Sequence, residues 1–89
     1  MKVIPTRRFL KDIKRVDEPT LKGKIKNVIT GMEKASEPGD IPGNKKLKSG
    51  NRKFYRIRVG DYRIGIEIDK SVIYLLILSH RKDIYKKFP

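Results

Sequence analysis

Arg52–Glu67 reads RKFYRIRVGDYRIGIE, two alternating runs that meet at Gly60-Asp61. A two-residue pair with glycine at its first central position closes a tight β-hairpin. With Val59 and Tyr62 flanking the turn, pairing proceeds outward: Arg58 opposite Arg63, Ile57 opposite Ile64, Arg56 opposite Gly65, Tyr55 opposite Ile66. Successive strand side chains point to opposite faces. Tyr55, Ile57, Val59, Tyr62, Ile64, Ile66 and Ile68 therefore share one face, and Arg56, Arg58 and Arg63 share the other. Like charges directly opposite each other cost a hairpin about a few tenths of a kcal/mol. A glycine across from Arg56 weakens the strand further. Stability alone does not select such a face, whereas a phosphate-bearing partner would.

Outward from the hairpin, the chain reads as strand, two helices and three antiparallel strands. Met1–Pro5 is a short strand, and Thr6 is a helix N-cap after it. From Thr6 to about Val16, Phe9, Leu10, Ile13 and Val16 form one helical stripe, ringed by Arg7, Arg8, Lys11, Lys14 and Arg15. Asp17-Glu18-Pro19 breaks that helix and starts another, with proline in its first turn. Leu21, Ile25, Val28, Ile29 and Met32 carry it to about Ala35. Gly23 and Gly31 each weaken it by about 1 kcal/mol relative to alanine, so packing has to hold it. Glu37–Gly43, EPGDIPG, is a loop. A second tight connection falls at Asp69-Lys70, and Ser71–Leu78, SVIYLLIL, is apolar on both faces, as in a central strand. Lys82–Phe88 has length only for a short helical turn or tail. The expected fold is α+β: one domain, residues 1–89, with a small four-stranded, mostly antiparallel sheet and the N-terminal helix pair on one face.

Composition narrows the partners. Eighty-nine residues supply one modest core. A formal charge of +13 is a field that draws polyanions, which leaves nucleic acid, anionic lipid or an acidic protein. The chain has no cysteine and one histidine, His80, so its composition offers neither a disulfide framework nor a thiolate or His-rich metal site. No metal or other cofactor is expected. MKVIPTRRFLKD at the N-terminus contains no long apolar segment, so neither a signal peptide nor a membrane span is expected, and the compartment is read as the cytoplasm.

Between Asp40 and Asp61 there are seven basic residues and no acid: Lys45, Lys46, Lys48, Arg52, Lys53, Arg56 and Arg58. The lysines read equally as a solvated strand edge. The arginines differ, because Arg56, Arg58 and Arg63 converge on one area of sheet where guanidinium forks bind phosphate oxygens bidentately. The alternative for them is stacking, or pairing with Glu67 and Asp83. His80 and Arg81 end the last strand, with Tyr85 four residues beyond. A lone histidine is commonly structural, and Tyr85 also reads as core beside Ile84 and Phe88. The functional reading requires both to project over the arginine face. With no Ser-His-Asp set, acid–base groups among guanidiniums suit phosphoryl transfer to a nucleophile the substrate carries, such as the 2′-hydroxyl of RNA.

KLKSGNRKFYRIRVGDYRIGIEID followed by SHRKDIYKKF resembles the RelE/ParE toxins of toxin–antitoxin modules, over nearly the whole chain. The resemblance implies a metal-free endonuclease that cuts mRNA in the ribosomal A site, the 2′-hydroxyl attacking the scissile phosphate. It also implies an acidic cognate antitoxin as partner. By position, Arg56 and Arg58 fall where such toxins have Lys or Arg as phosphate binders or proton acceptors. Arg63 falls on the arginine of the paired strand, Arg81 on the arginine after the last strand, and Tyr85 on a C-terminal tyrosine that stacks on a base or assists proton transfer. Lys45, Lys46, Lys48, Arg52 and Lys53 would then meet RNA backbone. Some relatives use a histidine near position 80 as acid or base, and others have none. Arginine at 56 and 58 is a poor proton shuttle, since guanidinium does not give up its proton in proteins, so the general base moves to Tyr85 or His80. ParE-like members share the fold, generally lack this set and poison DNA gyrase; a plain RNA-binding module is the third reading.

One expectation concerns the last strand. Strict alternation places Val72, Tyr74, Leu76 and Leu78 on the face away from Ile73, Leu75 and Ile77, leaving an apolar strip beside the arginines for an antitoxin to cover. The alternative is that Lys82–Phe88 folds back over the strip.

Overall fold

The computed structural model describes residues 1–89. Five strands, β1 (Lys2–Pro5), β2 (Asn44–Leu47), β3 (Phe54–Val59), β4 (Tyr62–Asp69) and β5 (Val72–His80), form one sheet in the order β1-β5-β4-β3-β2. β1 lies parallel to β5 and every other pair is antiparallel. The helices are α1 (Arg7–Lys14), α2 (Pro19–Lys34) and α3 (Arg81–Lys87). The α+β architecture matches the expectation, but the sheet has five strands instead of four. The additional strand is β2, which completes the free edge of β3 and is continued by the Arg58 N–H donating to Gly43 O.

The hairpin register is the expected one from Val59↔Tyr62 out to Tyr55↔Ile66. Gly60 takes the turn at φ +59°, a conformation that costs glycine nothing. At the next turn the central residues are Lys70 and Ser71, one position later than read from sequence. Both hold positive φ, +49° and +67°, without being glycine.

α1 and α2 cover one sheet face. Phe9, Leu21, Ile25 and Met32 from that layer pack on Ile57, Ile64, Ile66, Ile73 and Leu75 of the sheet, all nearly inaccessible. Thr6 caps α1 by accepting from the Phe9 N–H, and its hydroxyl donates to Leu75 O at 2.8 Å. Leu10 does not join the stripe and is 46% exposed. Beyond β1 the edge of β5 would present a bare N–H at Leu78; Asp12 Oδ2 accepts it at 3.0 Å.

β5 departs from strict alternation. Gly65 pairs with Ile77 and Ile66 with Leu75, so Leu76 is an extra residue, a bulge. Past it the faces exchange. Leu78 joins the helix-side core, and Ile77 joins a second cluster with Phe54, Ile84 and Phe88 on the opposite face. That cluster is the underside of α3. Lys82–Phe88 thus folds back across the sheet, and the continuous apolar strip expected beside the arginines is absent; half-buried Val72, Tyr74 and Leu76 remain beyond the helix.

Candidate functional site

On the face opposite α1 and α2, β3 and β4 set Arg58 beside Arg63 and Arg56 beside Gly65. α3 starts at the hairpin end, where the Arg81 N–H donates to Asp61 O at 2.8 Å. From there it returns along the sheet until Phe88 lies over Gly65. A Cβ built on Gly65 would stand 2.6 Å from Ile77 Cγ2 and 2.8 Å from two Phe88 ring carbons. The glycine that looks destabilising opposite Arg56 is thus the floor on which α3 rests. Phe88 meets Phe54 edge to face, with centroids 5.3 Å apart. These contacts present Tyr85 above Arg56, whose guanidinium carbon lies 4.3 Å from the centre of the phenol ring.

Arg56 is nearly buried, at 9% exposure, while Tyr85 is 73% exposed. The stack anchors one side of the ring and leaves the rest to solvent. Arg58 and Arg81 are exposed. Arg63 is half-buried, with Nη1 donating to Gly60 O at 3.0 Å and Tyr62 O at 2.8 Å, so the hairpin turn holds its fork. The ion pairs of the structure are Arg8–Asp12 and Arg52–Glu67. Of the pairings considered from sequence, only Glu67 is used, and by Arg52; Arg56, Arg58, Arg63 and Arg81 have no carboxylate partner. Guanidinium forks without a carboxylate partner are free to take anions bidentately.

The remaining residues singled out from sequence are distributed differently. His80 is opposite Tyr62 in register, on the helix side of the sheet, and its ring lies edge-on to Tyr62 at 5.4 Å. Its Nδ1 accepts from the Lys82 N–H at 3.2 Å, which caps α3. His80 therefore does not project over the arginine face with Tyr85. Lys45 pairs with Arg56 and shares its face, whereas Lys46 pairs with Tyr55 and points to the other. Lys46 and Lys53 both line a hollow at the far side of the sheet, with Tyr55 and Ile68. Lys48 lies exposed in the β2–β3 loop. Arg52 is committed to Glu67, through Nη2–Oε1 at 2.7 Å and Nε–Oε2 at 2.9 Å, and covers the Phe54 ring at 4.6 Å. That ion-paired hydrogen bonding holds the Glu67 carboxyl below its usual range and raises the Arg52 guanidinium.

Sequence reading missed Gly65, Phe54 and Phe88 as the supports of this face. The signal for them was the Ile84/Phe88 spacing of four, which marks one side of a helix. No three His, Asp or Glu side chains come together as a metal-ligand set, and no helix is long and apolar enough to cross a membrane.

Residues 3–85 match the family described as ParE toxin of type II toxin–antitoxin system, parDE. The chain is 39% identical to Toxin RelE3 of Methanocaldococcus jannaschii, over all of both proteins. Its fold is similar to the RelB–RelE antitoxin–toxin complex from Methanococcus jannaschii, with a TM-score of 0.77, 36% identity, and 97% of this chain and 99% of that one covered. The archaeal RelE–RelB complex from Pyrococcus horikoshii gives a TM-score of 0.74 over 90% of this chain and 93% of that one; at 23% identity it speaks for the fold alone.

Proposed function

We propose that this chain, which belongs to the RelE/ParE family of toxins of type II toxin–antitoxin systems, is an endonuclease that cuts mRNA in the ribosomal A site without a metal. The observation that carries this reading is the set Arg56, Arg58, Arg63 and Arg81, free of carboxylates, with Tyr85 stacked 4.3 Å above the first of them. Tyr85 offers its free surface to a base, since aromatic stacking is how unpaired RNA bases are held. The guanidiniums hold the scissile phosphate and stabilise the charge that builds on its oxygens. The O2′–P bond forms as the P–O5′ bond breaks, leaving a 2′,3′-cyclic phosphate and a 5′-hydroxyl. The proton from the 2′-hydroxyl needs an acceptor, and guanidinium is not one. With His80 on the other side of the sheet, Tyr85 is the acid–base group among the singled-out residues of this face: as the phenolate it takes the 2′-hydroxyl proton, and the phenol so formed gives that proton to the leaving O5′. His80 acts as the cap of α3.

The solved RelB–RelE complexes pair a toxin with an antitoxin; against the +13 charge of this chain such a partner would be acidic, and it would restrain residues 1–89 as one unit, in the cytoplasm where ribosomes are. The description of the matched family names ParE, which favours a second reading, a gyrase-directed binder. A bacterial extract translating a defined message separates them: cuts inside codons support the first, and loss of supercoiling without cuts supports the second. Within the first, Arg63→Ala and Arg81→Ala should each lower the cleavage rate about 10²–10³-fold. Lys46→Ala should only weaken binding and flatten its salt dependence. Equal, small losses in all three, with thermal unfolding unchanged, would show that general charge and not a site explains the arginines.

A further inference from the structure

A cleft of about 420 Å³ opens on the helix side, between the start of α2, the Gly60-Asp61 turn and the end of β5. Glu18, Lys24, Asp61, Tyr62 and His80 line it, and the mechanism above uses none of their side chains there. We propose that this cleft holds one nucleobase of the bound RNA strand, and that it accepts bases with an amino-bearing edge (guanine, adenine, cytosine) and rejects uracil. The proposal rests on the reading of the arginine face as an RNA site.

Three observations carry it. The first is chemical. In a chain of 23 basic and ten acidic residues, Glu18 and Asp61 meet at this one cleft with neither carboxylate in an ion pair or hydrogen bond. Glu18 occupies the N-cap position of α2, yet its side chain does not cap. Two free carboxylates repel phosphate and accept from N–H groups, so they suit a base edge and not a backbone. The second is shape. Tyr62 and His80, half-buried and edge to face at 5.4 Å, form an aromatic wall, and unpaired bases are held by stacking together with hydrogen bonds to their edges. Because Nδ1 of His80 accepts the α3 cap, the neutral ring carries its proton on Nε2, a donor with no partner in the protein. The volume is of the order of small-ligand sites, about 300–1,000 Å³. The third is position. Tyr62 and His80 face the cleft while their chain neighbours Arg63 and Ser79 pair on the opposite face, and Arg81 follows His80 directly. The cleft is thus around the end of the sheet from the phosphate face, by about one strand residue of 3.3 Å on each strand. A strand held by Arg63 and Arg81 delivers its adjacent nucleotide there. Uracil presents a single N–H between two carbonyls, which the carboxylates repel.

The test is an NMR titration of the 89-residue chain with GMP, AMP, CMP and UMP, read at the backbone amides of Lys24, Asp61 and Tyr62 and at the His80 ring. The phosphate that all four share reports separately on Arg58, Arg63 and Arg81. The expected result is saturable shifts at the cleft with GMP, AMP and CMP and none with UMP. Glu18→Gln combined with Asp61→Asn should weaken the three about tenfold, the loss of a charge-assisted hydrogen bond, and admit UMP. Cleft shifts equal for all four nucleotides, or cleft shifts absent while the arginine face responds, would each overturn the proposal. Cleft discrimination that persists in a protein failing to cut mRNA would sink the nuclease reading and leave the base site standing.

Discussion

Gly65→Ala tests whether the arginine face is built by packing α3 on a bare strand. The new methyl would sit 2.6 Å from Ile77 Cγ2 and 2.8 Å from Phe88 Cγ and Cδ2, closer than Cβ atoms are found to approach. Ile77 is nearly inaccessible within β5, so the ring, and α3 with it, has to move. Overpacking of this kind costs about 1–3 kcal/mol, which for a chain of this size is about 5–20 °C in Tm. The displaced helix takes Tyr85 off Arg56. Base stacking is worth about 1–3 kcal/mol, so mRNA cleavage should fall about 5- to 150-fold even well below the melting temperature. Circular dichroism melts and a ribosome-programmed cleavage assay read the two effects. Phe88→Ala costs stability itself but vacates the space, so adding Gly65→Ala to it should cost much less than Gly65→Ala alone. Strict additivity of the two substitutions would refute the reasoning, because it would mean that the methyl and the ring never compete.

Lys70→Asn with Ser71→Gly, in the turn where both residues hold positive φ, should raise Tm by about 4–8 °C, since left-handed backbone costs ordinary residues about 1–2 kcal/mol each; an unchanged or lower melt would contradict this. Asp12→Ala removes the acceptor of the Leu78 N–H and should cost about 1.5–3 kcal/mol in denaturant unfolding, with Arg8→Ala, its exposed ion-pair partner, costing far less. Arg52 depresses the Glu67 carboxyl, so this pair stabilises the fold fully above the unfolded glutamate value of about 4.3 and loses that contribution as pH falls through the lower folded value. Melts from pH 7 to 2 should show Glu67→Gln flattening that acid limb, and parallel curves for both proteins would exclude the linkage.

What could be read in the sequence follows how much each segment's pattern carries. In the hairpin, polar and apolar residues alternate and Gly60 marks the turn, so a register slip would bury three arginines; face and pairing were both legible. β2 was not. Its sequence, NKKL, has one apolar residue and no alternation, and it becomes a strand because the edge of β3 has hydrogen bonds to offer. α3 was read as a turn or tail because seven residues with four basic side chains have little helical tendency alone. Ile84 and Phe88 acquire meaning only once Gly65 is known to leave a floor for them.

The placement of His80 shows most clearly where pattern reading stops. SVIYLLIL is apolar throughout, so its alternation says nothing about which side chains face which layer. Continued strictly from Ile73 and Leu75, it sends His80 to the face of Tyr74 and Leu76, over the arginines, where a catalytic histidine would stand. The bulge at Leu76 inserts one residue, and one residue exchanges the faces of everything after it. Leu78 moves to the helix core, Ser79 comes opposite Arg63, and His80 comes opposite Tyr62 beside the cleft. The exchange also puts Ile77 beneath Phe88. The same irregularity that removes the histidine from the arginine face thus builds the seat of the helix that brings Tyr85 to it.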